Sequence, residues 1–197
     1  MSDPNYTAVL LVLDNSGSMG GAPQGAMRTA LHEVMEQQGR KLAGYLTFDV
    51  AYYDTSLFYV ETMADPFTLY LDYGRGGGGT MTCRSTLRAI EQFEANINKL
   101  PEAKRPGHVV VIVCTDGDTG DHQFAGAVKN KINALRKKKW DFAYLFAGQS
   151  LRGNEVLDIP SSNAIAHGFN KEGIAKMVTK LNSFITTARG GGSAKFN

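Results

Sequence analysis

Residues 8–21 decide the fold: Ala8-Val-Leu-Leu-Val-Leu13 is followed by Asp14-Asn-Ser-Gly-Ser-Met-Gly-Gly21. Six consecutive apolar residues are typical of a strand that is buried on both faces of a sheet. The residues after the run are small and polar, as in a surface loop. A helix is then expected to begin near Pro23, because proline is favoured in the first turn of a helix. The stretch therefore predicts a strand, a loop and a helix in succession.

The same alternation of strands and helices continues along the chain. Val109–Cys114 is a second apolar run, and it ends in Thr115-Asp-Gly117. Apolar residues spaced three and four apart predict further helices, while short apolar or aromatic runs predict further strands. We expect helices at 85–99, 123–138 and 174–185, a short helix at 151–157, strands at 42–48, 141–147 and 164–166, and sheet-edge segments at 52–60 and 67–73.

This order predicts an α/β fold. Strands that alternate with helices form right-handed crossovers and a sheet covered on both faces. We therefore expect a doubly wound, Rossmann-like and mostly parallel central sheet of about six strands, flanked by helices, with one antiparallel edge strand. The 197 residues fit one domain over 1–189, followed by a flexible Gly-rich tail over 190–197.

Charge and cysteine usage limit the classes of function. The chain has 21 Lys and Arg against 19 Asp and Glu, a balance too even to favour nucleic acid or a membrane surface. Its apolar runs are strand-sized, so we expect no membrane span. We also expect no secretory signal in Met1–Tyr6. Cys83 and Cys114 lie far apart, which favours reduced thiols in a cytoplasmic protein. We expect this protein to be a monomer.

Three loops carry the side chains that could bind a metal ion or another ligand. Ligands of doubly wound sheets bind at the carboxyl ends of the strands, which singles out the loops after Leu13, Tyr73 and Thr115. The first loop offers the side chains of Asp14, Ser16 and Ser18, the third offers Asp116, and the middle loop offers Thr80 or Thr82. All these donors are oxygen atoms, and the first loop has no His or Cys, which favours Mg²⁺ or Mn²⁺ over Zn²⁺. Two carboxylates and about three hydroxyls would leave one coordination position of the metal ion open for a carboxylate from another molecule.

The combination of these motifs resembles the von Willebrand factor type A (vWA) domain and its metal-ion-dependent adhesion site (MIDAS). The resemblance rests on Leu-Asp14-Asn-Ser16-Gly-Ser18-Met, Gly-Gly-Thr80 and Val-Ile-Val-Cys-Thr-Asp116-Gly, and it covers about residues 6–188. A weaker resemblance, over residues 139–150, is to stand-alone vWA proteins of bacteria and phages.

The resemblance implies a role for each residue. Ser16 and Ser18 would bind the metal directly, Asp14 directly or through water, and Asp116 mainly through water. The middle threonine would alternate between direct and water-mediated contact. Thr80 directly follows the glycines and is the first choice, with Thr82 as the alternative, because the spacing of neither to Leu87 matches the common pattern.

The family is mostly non-enzymatic, so the resemblance implies a protein-binding module. In it Mg²⁺ (or Mn²⁺ or Ca²⁺) would bridge the domain to an Asp or Glu of a protein partner, and binding would be coupled to a shift of the last helix. No catalytic residues are implied.

Two other functions remain open. A metal-dependent phosphoesterase or other hydrolase would use the same cation to activate water, and Asp118 and Asp121 add acids near the proposed site. The motif loops offer no convincing base and no Lys or Arg clamp. A structural or assembly protein would leave the site unused. We interpret Asp118, Asp121 and His122 as solvated loop residues and candidate partner contacts, with Asp121 capping the helix that follows it.

Overall fold

The computed structural model describes residues 2–41, 44–74, 76–117, 119–148 and 151–196. Within these ranges the strands are β1 (Asp3–Asp14), β2 (Tyr45–Tyr53), β3 (Leu57–Ala64), β4 (Pro106–Thr115), β5 (Asp141–Ala147) and β6 (Ala164–His167). The α-helices are α1 (Ala22–Gly39), α2 (Thr82–Lys99), α3 (Ala125–Arg136) and α4 (Lys171–Arg189). Short 3₁₀ turns lie at Gly17–Met19, Glu102–Lys104, His122–Phe124, Asn154–Leu157 and Ser161–Asn163.

The strands form one sheet in the order β3-β2-β1-β4-β5-β6. Every neighbouring pair is parallel except β2 and β3, which are antiparallel. The predicted fold class is therefore confirmed, including its antiparallel edge strand. From β1 the chain winds to β2 and β3 on one side, and it then returns to β4 on the other side. The strand order thus reverses between β1 and β4, where ligands bind in folds of this kind.

The sheet is covered on both faces, which explains the continuous apolar runs. Along β1, Val9 and Leu11 face the side covered by α1 and α4, whereas Leu10 and Val12 face the side covered by α2 and α3. All four side chains are fully buried, as expected for a central parallel strand. In the described part of the chain, every helix is too short or too polar to span a bilayer.

Two segments differ from the sequence-based expectation. The strand predicted at 42–48 is β2, which begins at Tyr45 and extends to Tyr53; positions 42 and 43 lie outside the described residues. Residues 67–73 are irregular instead of forming a sheet edge. There the backbone N–H of Leu71 donates to His32 Nε2 of α1 at 3.2 Å, so the segment is held against a helix instead of a strand.

The C-terminal residues also differ from the expected flexible tail. Ala194 is fully buried, and the Phe196 ring lies 5.0 Å from the Phe184 ring of α4, measured between centroids. The backbone N–H of Phe196 donates to Ser162 O at 2.7 Å, and Asn163 Nδ2 donates to Ala194 O at 3.1 Å. The glycines at 190–192 predict flexibility, but the apolar residues after them give the segment a surface that packs on the domain.

Candidate metal centre

The fold brings the first and third motif loops to one point. Asp14 is the last residue of β1 and Asp116 directly follows β4, and these two strands are paired up to Leu13 and Cys114. The carboxyl ends of β1 and β4 lie at the position where the strand order reverses. Thr80 precedes α2 by two residues. The predicted loops therefore meet at the expected end of the sheet.

Asp14 is fully buried, and each of its carboxylate oxygens accepts a hydrogen bond. The backbone N–H of Ser16 donates to Oδ1 at 2.8 Å, and the hydroxyl of Thr115 donates to Oδ2 at 2.6 Å. Burial raises the pKa of the Asp14 carboxyl, and the hydrogen bonds from Thr115 and Ser16 lower it in part. A buried carboxylate with its orientation fixed in this way is suited to bind a cation, which would compensate its charge.

Ser16, Ser18 and Asp116 form a chain of hydrogen bonds across the two loops. The hydroxyl oxygens of Ser16 and Ser18 are 3.2 Å apart, and the Ser18 hydroxyl donates to Asp116 Oδ1 at 2.9 Å. Ser16 is buried, Asp116 is half-buried and Ser18 is exposed. The chain of oxygen atoms therefore reaches the surface at Ser18, where another molecule can approach it.

The chemistry of these donors fits a hard cation, because carboxylate and hydroxyl oxygens are the ligands that magnesium prefers. The distances of 3.2 and 2.9 Å between the oxygens are hydrogen-bond distances, and they show that the three side chains lie close together. Across the described ranges, no group of three or more His, Cys, Asp or Glu side chains is arranged to hold a metal. The proposed centre differs from such a group, because it combines two carboxylates with hydroxyls.

The two candidate threonines occupy different environments. Thr82 is buried in the first turn of α2, and its hydroxyl lies 3.1 Å from the hydroxyl of Tyr53 inside the protein. Thr80 is half-buried, and its hydroxyl is 3.9 Å from the position that a Cβ on Gly117 would take. The Thr80 hydroxyl thus lies beside the Asp116 loop, whereas the Thr82 hydroxyl has an internal partner. This placement favours Thr80 as the middle ligand.

The glycine-rich segment before Thr80 packs closely on the first loop. A Cβ on Gly76 would come within 3.1 Å of the carbonyl oxygens of Asn15 and Ser16, and Gly77 N donates to Asn15 O at 3.1 Å. Gly78 has a φ of 68°, in the left-handed region that favours glycine. These glycines therefore allow the middle loop to approach the Asp14 loop.

Thr115 is a residue of the site that the sequence analysis did not single out. Its hydroxyl holds Asp14, and it also receives the N–H of Gly117 at 3.3 Å. In the sequence, Thr115 could be recognised only by its position, because it is a hydroxyl residue directly before Asp116 at the end of a buried strand.

Asp121 has a different role from the one expected. It is buried and accepts hydrogen bonds from the backbone N–H groups of Cys83 and Arg84 at 3.1 and 2.8 Å. It therefore caps α2, which precedes it in the chain, and its side chain does not cap the 3₁₀ turn that follows it. Its burial excludes it as a partner contact. His122 is exposed, and Asp118 lies outside the described residues.

The two thiols are buried. The Cys83 side chain is fully buried in α2, and its pKa is raised to about 11, mainly by burial. Cys114 is fully buried in β4 and is also free. Both thiols are therefore core groups in this structure.

Comparison with known proteins supports the fold. No protein-family model and no curated protein matches the sequence significantly. Among solved structures, proximal thread matrix protein 1 from the mussel byssus, with a zinc-occupied MIDAS motif, is similar at a TM-score of 0.62 and 14% identity. That similarity covers 88% of this chain and 45% of the mussel chain, so the protein spans less than half the length of that relative.

Two single-domain structures match over nearly their whole length. The vWF domain of the pili tip protein Mfa5 from Porphyromonas gingivalis has a TM-score of 0.61 and 8% identity, with 89% of this chain and 95% of that one covered. The SpRpn10 VWA domain has a TM-score of 0.61 and 12% identity, with 87% and 93% covered. The chain therefore has the fold of a von Willebrand factor A domain.

Proposed function

We propose that this protein is a non-catalytic, metal-dependent protein-binding module. Asp14, Ser16, Ser18, Thr80 and Asp116 would hold one divalent cation, and a carboxylate of a protein partner would complete its coordination. The observation that carries this proposal is the hydrogen-bonded chain of oxygen atoms from Ser16 through Ser18 to Asp116, next to the buried carboxylate of Asp14.

The charge of the site supports a carboxylate as the incoming group. Asp14 and Asp116 supply two negative charges, which balance a divalent cation, and the other proposed donors are neutral hydroxyls. The protein ligands place no excess negative charge on such a cation, so it can still act as a Lewis acid toward one more anionic ligand. Ser18, in the middle of the chain of oxygen atoms, is exposed, so a side chain on another protein can reach the cation.

Magnesium is the first choice of metal, since oxygen ligands suit hard cations. Manganese and calcium have the same ligand preference and are tested beside it. Zinc is included because the similar mussel protein has a MIDAS motif occupied by zinc. The chemistry that the cation supplies is charge and one open coordination position, while the protein side chains fix where that position lies.

Calorimetric titration tests whether the site binds metal. We expect the unmodified protein to bind Mg²⁺ or Mn²⁺ with one site, and Ser18→Ala to weaken binding by about 10-fold or more, since a direct ligand is lost. Ser183→Ala, an exposed serine of α4, is the matched control and should bind as the unmodified protein does. Absence of binding for all four metals would refute the proposal.

Affinity capture tests whether the cation serves partner binding. The protein is immobilised with Mg²⁺ and bound proteins are eluted with EDTA, and an Asp14→Asn bait is treated in parallel. We expect partners that elute with EDTA from the unmodified bait and are missing from the variant. Phosphatase and nuclease assays with Mg²⁺ or Mn²⁺ address the alternative, because turnover that is lost in Asp14→Asn would identify a hydrolase instead.

A further inference from the structure

The first turn of α2 is capped by a loop that is distant in sequence. The first backbone N–H groups of a helix have no partner within the helix. In α2, Thr82 N donates to Thr119 Oγ1 at 3.1 Å, and Cys83 N and Arg84 N donate to the two carboxylate oxygens of Asp121 at 3.1 and 2.8 Å. Three consecutive N–H groups are therefore satisfied by side chains from the loop that also carries Asp116.

The connection between the two loops extends to the backbone. Gly120 N donates to Thr80 O at 2.7 Å. The hydroxyl of Thr119 also donates to Asp121 Oδ1, so the two capping side chains support each other. Thr119 is 8% exposed and Asp121 is 1% exposed. We call residues 119–121 the interloop brace. It joins the segment that carries Thr80 to the segment that carries Asp116.

Electrostatics strengthen the brace. The Asp121 carboxylate lies at the amino end of an 18-residue helix, where the helix dipole stabilises negative charge. Hydrogen bonds to an ionised acceptor are stronger than those between neutral groups. Because Asp121 is buried, water competes little for these bonds. The start of α2, and with it the position of Thr80, is therefore held tightly against the Asp116 loop.

We propose that Thr119 and Asp121 are positioning residues of the metal centre. They hold Thr80 beside the loop that carries Asp116, so that both can serve one cation, and they act through Thr80 without contacting the cation themselves. This inference rests on the proposed function, because it concerns affinity for the metal.

Two pairs of substitutions separate the hydrogen bonds from the shape of the side chains. Thr119→Val removes the hydroxyl with little change in volume, whereas Thr119→Ser keeps it. Asp121→Ala removes both acceptors, whereas Asp121→Asn keeps one. Loss of a group that orients a metal ligand lowers metal affinity by about 10–100-fold. We expect such a loss of Mn²⁺ affinity, measured by calorimetry, for Thr119→Val and Asp121→Ala, and a smaller loss for Thr119→Ser and Asp121→Asn.

Two controls distinguish positioning from loss of stability. Asn170→Ala removes the cap of α4, where Gly173 N donates to Asn170 Oδ1 at 2.8 Å, and it should leave Mn²⁺ affinity unchanged. In a Thr80→Ala background, Thr119→Val and Asp121→Ala should cause little further loss, because the ligand that they position is already absent. If Asp121→Ala does not fold, the Thr119 pair carries the same test.

The outcomes are distinct for the two proposals. An unmodified protein that binds no metal overturns the proposed function and the brace together. Metal binding that is unchanged in Thr119→Val and Asp121→Ala overturns the brace alone. The brace is also overturned if these substitutions weaken binding equally with and without Thr80, since their effect would then not pass through that residue.

Discussion

Replacement of Asp14 by asparagine should separate metal binding from folding. An asparagine keeps the shape of the side chain, and its Oδ1 can still accept the N–H of Ser16, which is 2.8 Å from Asp14 Oδ1. Its amide N–H₂ can donate to the Thr115 hydroxyl, so the 2.6 Å hydrogen bond between these side chains is reversed in direction. Without a cation, a buried neutral amide also avoids the desolvation of a buried charge. We therefore expect the free energy of unfolding in EDTA to change by no more than about 1 kcal/mol.

The metal response should behave differently. A ligand that binds only the folded state stabilises it by about 2.7 kcal/mol when its free concentration is about 100 times its Kd. For a domain of this size each kcal/mol raises Tm by about 2–4 °C. Saturating Mg²⁺ should thus raise the Tm of the unmodified protein by about 5–11 °C. The Asp14→Asn variant should lose this increase, because the buried anionic ligand is absent.

Thermal unfolding followed by circular dichroism measures both quantities, with EDTA and with each divalent metal. The control is Asp3→Asn, which alters an aspartate at the opposite end of the same strand and should keep the full metal response. The proposed role of Asp14 as a metal ligand would be refuted if Asp14→Asn kept the same increase in Tm. The expected separation of metal binding from folding would be refuted if the variant were unfolded in EDTA, since Asp14 would then be required for the fold itself.

Three further predictions concern single residues outside the metal ligands. Thr82→Val should lower the free energy of unfolding by about 1 kcal/mol, because it removes the hydrogen bond with Tyr53, yet Mg²⁺ affinity should stay unchanged in calorimetry. Phe196→Ala should lower the midpoint of urea unfolding, because Phe196 packs on the core; an unchanged midpoint would favour the flexible tail. Burial lowers the pKa of His167. The free energy of unfolding should therefore decrease as the pH drops through about 6.5, because the histidine of the unfolded chain takes up a proton there and the buried one does not. His167→Gln should show a smaller decrease between pH 7 and 5.

The central strands could be predicted from sequence because burial on both faces leaves a clear pattern. The runs 8–13 and 109–114 contain no polar residue, and they form parts of the adjacent strands β1 and β4. Residues 67–73 could not be assigned in this way. Their aromatic and β-branched composition favours a strand, but composition does not show that Leu71 is held by His32 on a helix. Secondary structure at the edge of a sheet depends on tertiary partners that the local sequence does not contain.

The candidate site shows the same limit. Asp14, Ser16 and Ser18 are close in sequence, so their spacing predicts that they meet in one loop. The choice between Thr80 and Thr82 depends on where α2 begins, and only the structure shows that Thr82 belongs to the helix and contacts Tyr53. For Asp121 the local rule predicts a cap for the next helix. The cap belongs to α2 instead, because the open N–H groups of that helix lie next to the loop in space.

The sheet order explains why donors from both sides of the protein can meet at this centre. α1 follows β1 on one face of the sheet, and α3 follows β4 on the other face, so the two crossovers diverge from adjacent strand ends. The loops at these ends are joined by the hydrogen bond from Ser18 to Asp116. The sheet is held by buried apolar residues, whereas the positions of these loops depend on a few hydrogen bonds. Substitution of the exposed Ser18 should therefore change metal affinity far more than it changes the stability of the fold.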